Sequence, residues 1–92
     1  MAGERIDLGY THRIHYTSFR DVERFGAIVE HEISDGHWCA GAITFDTPLA
    51  REAFPDNAFW QVVSWEPLTL TPSLLCHCGD HGFIRNGQWE PV

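Results

Sequence analysis

Lysine is missing from this chain. Its six basic residues are all arginine and face thirteen acidic ones, a formal net charge of −7 over 92 residues. Nucleic-acid affinity comes mostly from Lys and Arg neutralising phosphates, so this balance excludes a phosphate-binding surface and predicts no nucleic-acid partner. The all-arginine set fits coding bias in a GC-rich genome better than a binding adaptation. Long apolar runs are missing too. None reaches the ~18 residues that a transmembrane helix needs, which excludes a helical membrane span. The opening Met1-Ala2-Gly3-Glu4-Arg5-Ile6-Asp7 has no hydrophobic signal core, so no secretory leader is expected. Phosphate loops, dinucleotide fingerprints and calcium loops do not occur. With no repeat, linker or low-complexity stretch, residues 1–92 are expected to form one compact domain.

What is present is apolar enough to fold: 43% hydrophobic, 13% aromatic and 21% charged residues lie outside the range of a disordered tail. The pattern has period two, interrupted by turn signals, and predicts a mainly β domain. The expected architecture is a small antiparallel sheet or partly open barrel built from hairpins, with one short helix near 48–54. Residues 11–19 alternate weakly as a first strand, and 20–24 read as a polar connection, with room for one helical turn. Gly26–Ser34 and His37–Phe45 flank Asp35-Gly36, whose residues tolerate a type I′ turn. That turn predicts Ser34 opposite His37 and Glu32 opposite Cys39, with His31 on the apolar face and Cys39 on the polar one. Thr47-Pro48 opens the helix by N-cap and first-turn chemistry. Phe59–Trp65 is a strong strand, and Leu68–Thr71, bracketed by Pro67 and Pro72, suits a sheet edge. Asn86-Gly87 marks a second tight hairpin.

A domain this small buries only about 60–65% of its surface on folding, so additional ties help. Three cysteines are an awkward count for a disulfide framework, and clustered Cys and His point to metal first. Cys76-His77-Cys78-Gly79-Asp80-His81-Gly82 holds two thiols and two imidazoles within six residues. Cys76 and Cys78 point to one side of an extended segment, and His81 swings back through Gly79-Asp80. Zinc takes four such ligands in a tetrahedron, and Cys39, or else His37, supplies the fourth. The expected zinc set is therefore Cys39, Cys76, Cys78 and His81. Three protein ligands and a water would make the site hydrolytic; four would make it a structural staple. The other reading is two small buried thiols and a turn histidine bonded to backbone. Ser73 lies within reach of His77 or His81 in sequence, with Asp80 as an orienting acid, but no nucleophile elbow surrounds it. His31 reads as a core histidine, and His12 and His15 as solvated. Four tryptophans exceed what so thin a core hides, which marks Trp60, Trp65 and Trp89 as partner-binding candidates.

Trp65-Glu66-Pro67-Leu68-Thr69-Leu70-Thr71-Pro72-Ser73-Leu74, followed by His81-Gly82-Phe83-Ile84-Arg85-Asn86-Gly87, resembles a family of small bacteriophage and prophage proteins. Some of these are mislabelled as ammonia monooxygenases. The shared pattern is a Trp, then Thr-x-Thr/Ser-Pro-Ser, then a His before hydrophobic residues and an Asp/Asn-Gly turn. It touches Thr71, Pro72, Ser73, His81, Asn86 and Gly87. Many relatives have Cys immediately before the His, where this chain has Asp80. The resemblance implies a phage-encoded protein, in the virion or the host cytoplasm, and the absence of Lys with the compact length points to a GC-rich, actinobacterial host. The expectation is a non-enzymatic accessory protein, a head or tail component that binds other phage structural proteins or itself, with zinc as a staple. The alternatives are a small zinc-dependent enzyme and a phage protein that binds a host factor.

Overall fold

The computed structural model describes residues 4–92; Met1–Gly3, part of the segment read above for a leader, lie outside the described residues. The chain is mostly β, as the period-two pattern predicts. Its strands are β1 (Ile6–Gly9), β2 (His12–Phe19), β3 (Val22–Ser34), β4 (His37–Phe45), β5 (Phe59–Trp65), β6 (Leu68–Thr71), β7 (Leu74–Leu75), β8 (His81–Arg85) and β9 (Gln88–Pro91). The first six form one sheet in sequence order and the last three form a second, with no closed barrel. All pairings are antiparallel except β4 with β5, which run parallel and meet only at Thr44–Phe59 and Phe45–Trp60. The sole helix among the described residues, α1 (Pro48–Ala53), makes that crossover. The Ala50 N–H donates to Thr47 Oγ1 at 3.1 Å, the N-cap bond that the sequence predicts.

Two local expectations change. The polar stretch 20–24 is no helical turn; Val22–Arg24 begin the long strand β3 after a tight turn at Arg20-Asp21. The Asp35-Gly36 turn is not type I′, because only Gly36 takes a left-handed φ, +76°. A bulge then falls between Glu32 and Ser34, and the register below it moves by one: Glu32 faces Trp38 and His31 faces Cys39. A one-residue shift reverses which face each residue shares with its partner. His31 and Cys39 therefore lie together on the inner side, while Ile33, the bulged residue, stands 61% exposed.

Leu8, Ile14, Tyr16, Ala27, Ile43 and Phe45 from the large sheet pack with Leu68, Leu70, Leu74, Ile84 and Trp89 in one core. Each such large apolar side chain contributes about 1.5–3 kcal/mol on full burial. Gly82 permits a close approach: a Cβ there would stand 2.5 Å from the Trp89 ring. The indole crosses β8 at that point and stacks on His12, centroid to centroid 4.1 Å. Core packing thus sets the β7–β9 sheet against the ends of β2, β3 and β4, where the histidines and cysteines are.

Candidate active site and thiol–imidazole cluster

The β7–β8 hairpin has only two paired rungs, Leu74 with Gly82 and Leu75 with His81. Its tip is tightened by main-chain bonds: the Cys76 N–H donates to Asp80 O and the Gly79 N–H to Cys76 O, both at 2.8 Å. Gly79, at φ +98°, allows the turn. Ser73 lies just before this hairpin and His81 opens its second strand. The hairpin brings them together, with His81 Nε2 2.9 Å from Ser73 Oγ. The main chain of each partner is held from elsewhere. The Trp60 indole N–H donates to Ser73 O at 3.3 Å, and the Val92 N–H donates to His81 O at 3.0 Å. Ser73 is half-buried and His81 exposed, so a base and a hydroxyl meet at the surface.

Asp80 does not orient this histidine. Its Oδ2 meets His12 Nε2 at 2.6 Å and lies 4.0 Å from His31 Nε2. Among the described residues no carboxylate forms an ion pair with His81. The arrangement is a serine–histidine dyad without a third member. His12, expected in solvent, is buried; its Nδ1 faces Tyr10 O at 2.6 Å. His15 is half-buried, 3.7 Å from the Glu30 carboxylate.

On the other side of the same turn, His31 Nε2 lies 3.1 Å from Cys78 Sγ, and Cys39 Sγ lies 3.1 Å from Cys76 Sγ. All four potential ligand atoms are within 4.8 Å of one another. Tetrahedral zinc bonds of about 2.0–2.3 Å place neighbouring ligand atoms roughly 3.3–3.8 Å apart, so the cluster fits such an ion with little movement. The three cysteines are free. They share protons unequally. A hydrogen bond with Cys76, then burial, pushes the Cys39 thiol up to about 12. The Cys76 thiol is pushed down: burial acts to raise it, but bonds from the Cys78 backbone, Cys39 and Cys78 outweigh that effect. A divalent cation removes this competition by replacing the protons.

Of the expected zinc set, the structure thus brings together Cys39, Cys76 and Cys78. His81 turns to Ser73, and the fourth side chain in the cluster is His31. The bulge is the reason: it puts His31 and Cys39 on one face, and regular pairing would have separated them. His37 is exposed at the hairpin tip, and His77 lies beside the thiols, 3.5 Å from Cys39 Sγ. The tryptophans divide as well. Trp89 is buried against His12 and Trp60 anchors Ser73. Trp65 is 41% exposed beneath Arg24, 5.1 Å from its guanidinium.

No curated protein and no solved structure matches the chain. A family model does match, over residues 15–92, and it is described as "Bacterial ubiquitination-like system serine protease (BubE)". That finding overturns the resemblance to a phage family, which rested on short C-terminal motifs. It also overturns the reading as a non-enzymatic virion component, since that reading came from the resemblance. Matched over more than four fifths of its length, the chain belongs to the BubE family.

Proposed function

We propose that the chain is a serine hydrolase that cleaves acyl bonds of a polypeptide, with Ser73 as nucleophile and His81 as general base. The 2.9 Å contact between His81 Nε2 and Ser73 Oγ carries this reading. As Ser73 Oγ attacks a substrate carbonyl, its proton passes to Nε2, within the reach that general-base catalysis requires. Collapse of the tetrahedral adduct breaks the acyl bond, and the leaving amine takes the proton from His81. Water then attacks the acyl-enzyme, giving its proton to His81. Collapse of the second adduct breaks the ester bond as His81 returns that proton to Ser73 Oγ, freeing the acid product. A pocket of about 90 Å³, lined by His12, His31, Trp60, Leu74, Cys76 and Trp89, lies next to Ser73 in the chain but on the thiol–imidazole side, and Ser73 and His81 do not line it. The family description supports a protein substrate within a ubiquitination-like system.

We read the His31–Cys39–Cys76–Cys78 cluster as a zinc site. Three thiolates and an imidazole are the donor set that zinc prefers, and four protein ligands leave no corner for a reacting water. Bond cleavage on this reading belongs to the serine, and bound zinc supplies cross-linking.

A fluorophosphonate probe tests the hydrolase reading, because it phosphonylates only activated serines. The wild-type chain gains one adduct, which peptide mass spectrometry places on Ser73. Ser73→Ala removes it, and His81→Gln slows labelling by about 10²-fold or more, as loss of a general base does. An unreactive wild-type chain, or an adduct on another residue, defeats the proposal.

A further inference from the structure

We infer that Zn²⁺ bound by His31, Cys39, Cys76 and Cys78 sets the Ser73–His81 geometry, so that metal occupancy controls the reactivity of the serine. The inference rests on reading Ser73 and His81 as the reacting pair. It goes further by giving the metal a positioning role in that reaction.

The first support is chain spacing. Cys76 follows Ser73 by three residues and Cys78 precedes His81 by three. The two sulfurs therefore sit inside the loop that separates nucleophile from base. The second is how little joins the two strands of that loop to each other, beyond the single bonds that hold Ser73 O and His81 O from Trp60 and Val92. Two rungs of ladder and two turn bonds join its strands, and a short hairpin is marginal without further packing. Among the described residues no carboxylate fixes the His81 ring, so its aim depends on the path of the hairpin backbone. The third is where the other two ligands come from. His31 and Cys39 face each other across β3 and β4 in the large sheet, a broad element whose position does not depend on the hairpin. A metal bond from each side ties the loop to that sheet.

The surroundings of His31 support the same role. Its ring stacks on His12 at 5.1 Å, and His12 is in turn held by Asp80, Tyr10 O and the Trp89 face. Such outer contacts hold a ligand ring in place. Asp80, from the loop itself, adds a second link between hairpin and sheet that does not need the metal. The metal-free chain therefore keeps its fold and loses the fine alignment of the pair.

The experiment uses the full chain in zinc-loaded, chelator-stripped, zinc-restored and cobalt-substituted forms. One metal ion per chain is expected, and the cobalt form should show thiolate-to-cobalt charge-transfer bands and tetrahedral visible bands. Stripping should slow fluorophosphonate labelling of Ser73 by about tenfold or more, toward the scale that an ångström-sized misplacement produces. Zinc or cobalt should restore it equally, because no bond is made or broken at the metal. Amide hydrogen exchange provides a readout independent of the serine. Protection across Leu74–Gly82 should fall on stripping while that of β3 and β4 persists. Absence of stoichiometric metal overturns the inference, as does unchanged hairpin protection or equal labelling of both forms. Loss of protection throughout the large sheet overturns it too, since the metal would then stabilise the whole fold and not this pair. If the loaded chain binds metal and protects the hairpin but never labels, the hydrolase reading fails and the inference falls with it. The exchange data keep that failure distinct from a metal that does not order the loop.

Discussion

Two hairpins with Asx-Gly turns, β3–β4 and β8–β9, look alike in sequence and fold differently. At Asn86-Gly87 both residues are left-handed, φ +53° and +74°, and Arg85 faces Gln88 in regular register. At Asp35-Gly36 only the glycine is left-handed, and a bulge at Ile33 absorbs the mismatch. Asn tolerates the left-handed region more readily than most residues, but the turn is not the deciding factor. In β3–β4 the core decides. Ala27, Ile43 and Phe45 must all reach the interior, and the register that puts them there also pairs His31 with Cys39. The bulge therefore has a chemical consequence as well as a structural one.

The largest effect expected from this difference is on metal binding. The sequence expectation makes His81 the nitrogen ligand; the zinc reading proposed above, which rests on the bulged register, makes it His31. His31→Ala should therefore abolish stoichiometric zinc, whereas His81→Ala should leave it at one ion per chain and remove serine reactivity instead. Metal analysis of the two purified variants, with probe labelling, checks both halves. The reverse pattern would restore His81 as a ligand and undo the separation of the two sites.

Glycines in the two hairpins should differ next most. In β8 a Cβ on Gly82 meets the Trp89 ring at 2.5 Å and Glu90 O at 2.7 Å. Gly82→Ala should cost about 1–3 kcal/mol, the usual range for overpacking. In β4 a Cβ on Gly41 would meet nothing within 4 Å, and Gly41→Ala should change stability by no more than about 0.5 kcal/mol. Denaturant midpoints at fixed slope separate these values. Equal losses would mean that Trp89 does not press on β8 as described.

Much of this is legible in the sequence, and the reasons for the rest are physical. Phe59–Trp65, Leu68–Thr71 and the Thr47-capped helix declare themselves through β-branched, aromatic, proline and capping residues, which act locally. Cys39, Cys76 and Cys78 are visible as one cluster of potential ligands because thiols are few. His31 reads as a core histidine and is buried as one, but that Cys39 shares its face is hidden, because this depends on strand parity and parity depends on one bulged residue that no local propensity announces. An apolar Ile33 beside an Asp-Gly turn is the available sign. Ser73 and His81 are visible as residues, but their contact depends on a hairpin whose first strand is two residues long, below what a period-two pattern can reveal. The phage resemblance draws on the same C-terminal residues, and short motifs there do not identify the family.

The turns themselves should show a smaller contrast. Asn86→Ala forces alanine into a left-handed conformation and should cost about 1–2 kcal/mol. Asp35→Ala, at a residue outside that region, should stay within about 0.5 kcal/mol. Thermal or chemical midpoints of the two variants check this. A costly Asp35→Ala would mean that the first turn, not the core, sets the register.

Surface charge gives the smallest effect and distinguishes the hairpins by pH. On β3, Glu30 Oε1 accepts from Arg5 Nε and Arg13 Nε, each at 3.0 Å. Burial works to raise the Glu30 carboxyl, but the bonds from Arg5 and Arg13 overcome it and hold the carboxyl below its ordinary value. On β8–β9, Arg85 and Glu90 pair at 3.3 Å with nearly half of each side chain exposed, an arrangement that adds little in water. A carboxyl held low in the folded chain stabilises it above the ordinary carboxylate range, and that stabilisation is lost as pH falls through the lowered value. Glu30→Gln should therefore lower the melting temperature at pH 7 by about 2–4 °C, for a loss on the order of 0.5 kcal/mol. The gap from wild type should close as the pH drops below the carboxylate range. Glu90→Gln should leave the melting curve unchanged at either pH. A Glu30→Gln deficit that persists in acid would show that the side chain acts through packing on β3 and not through its charge.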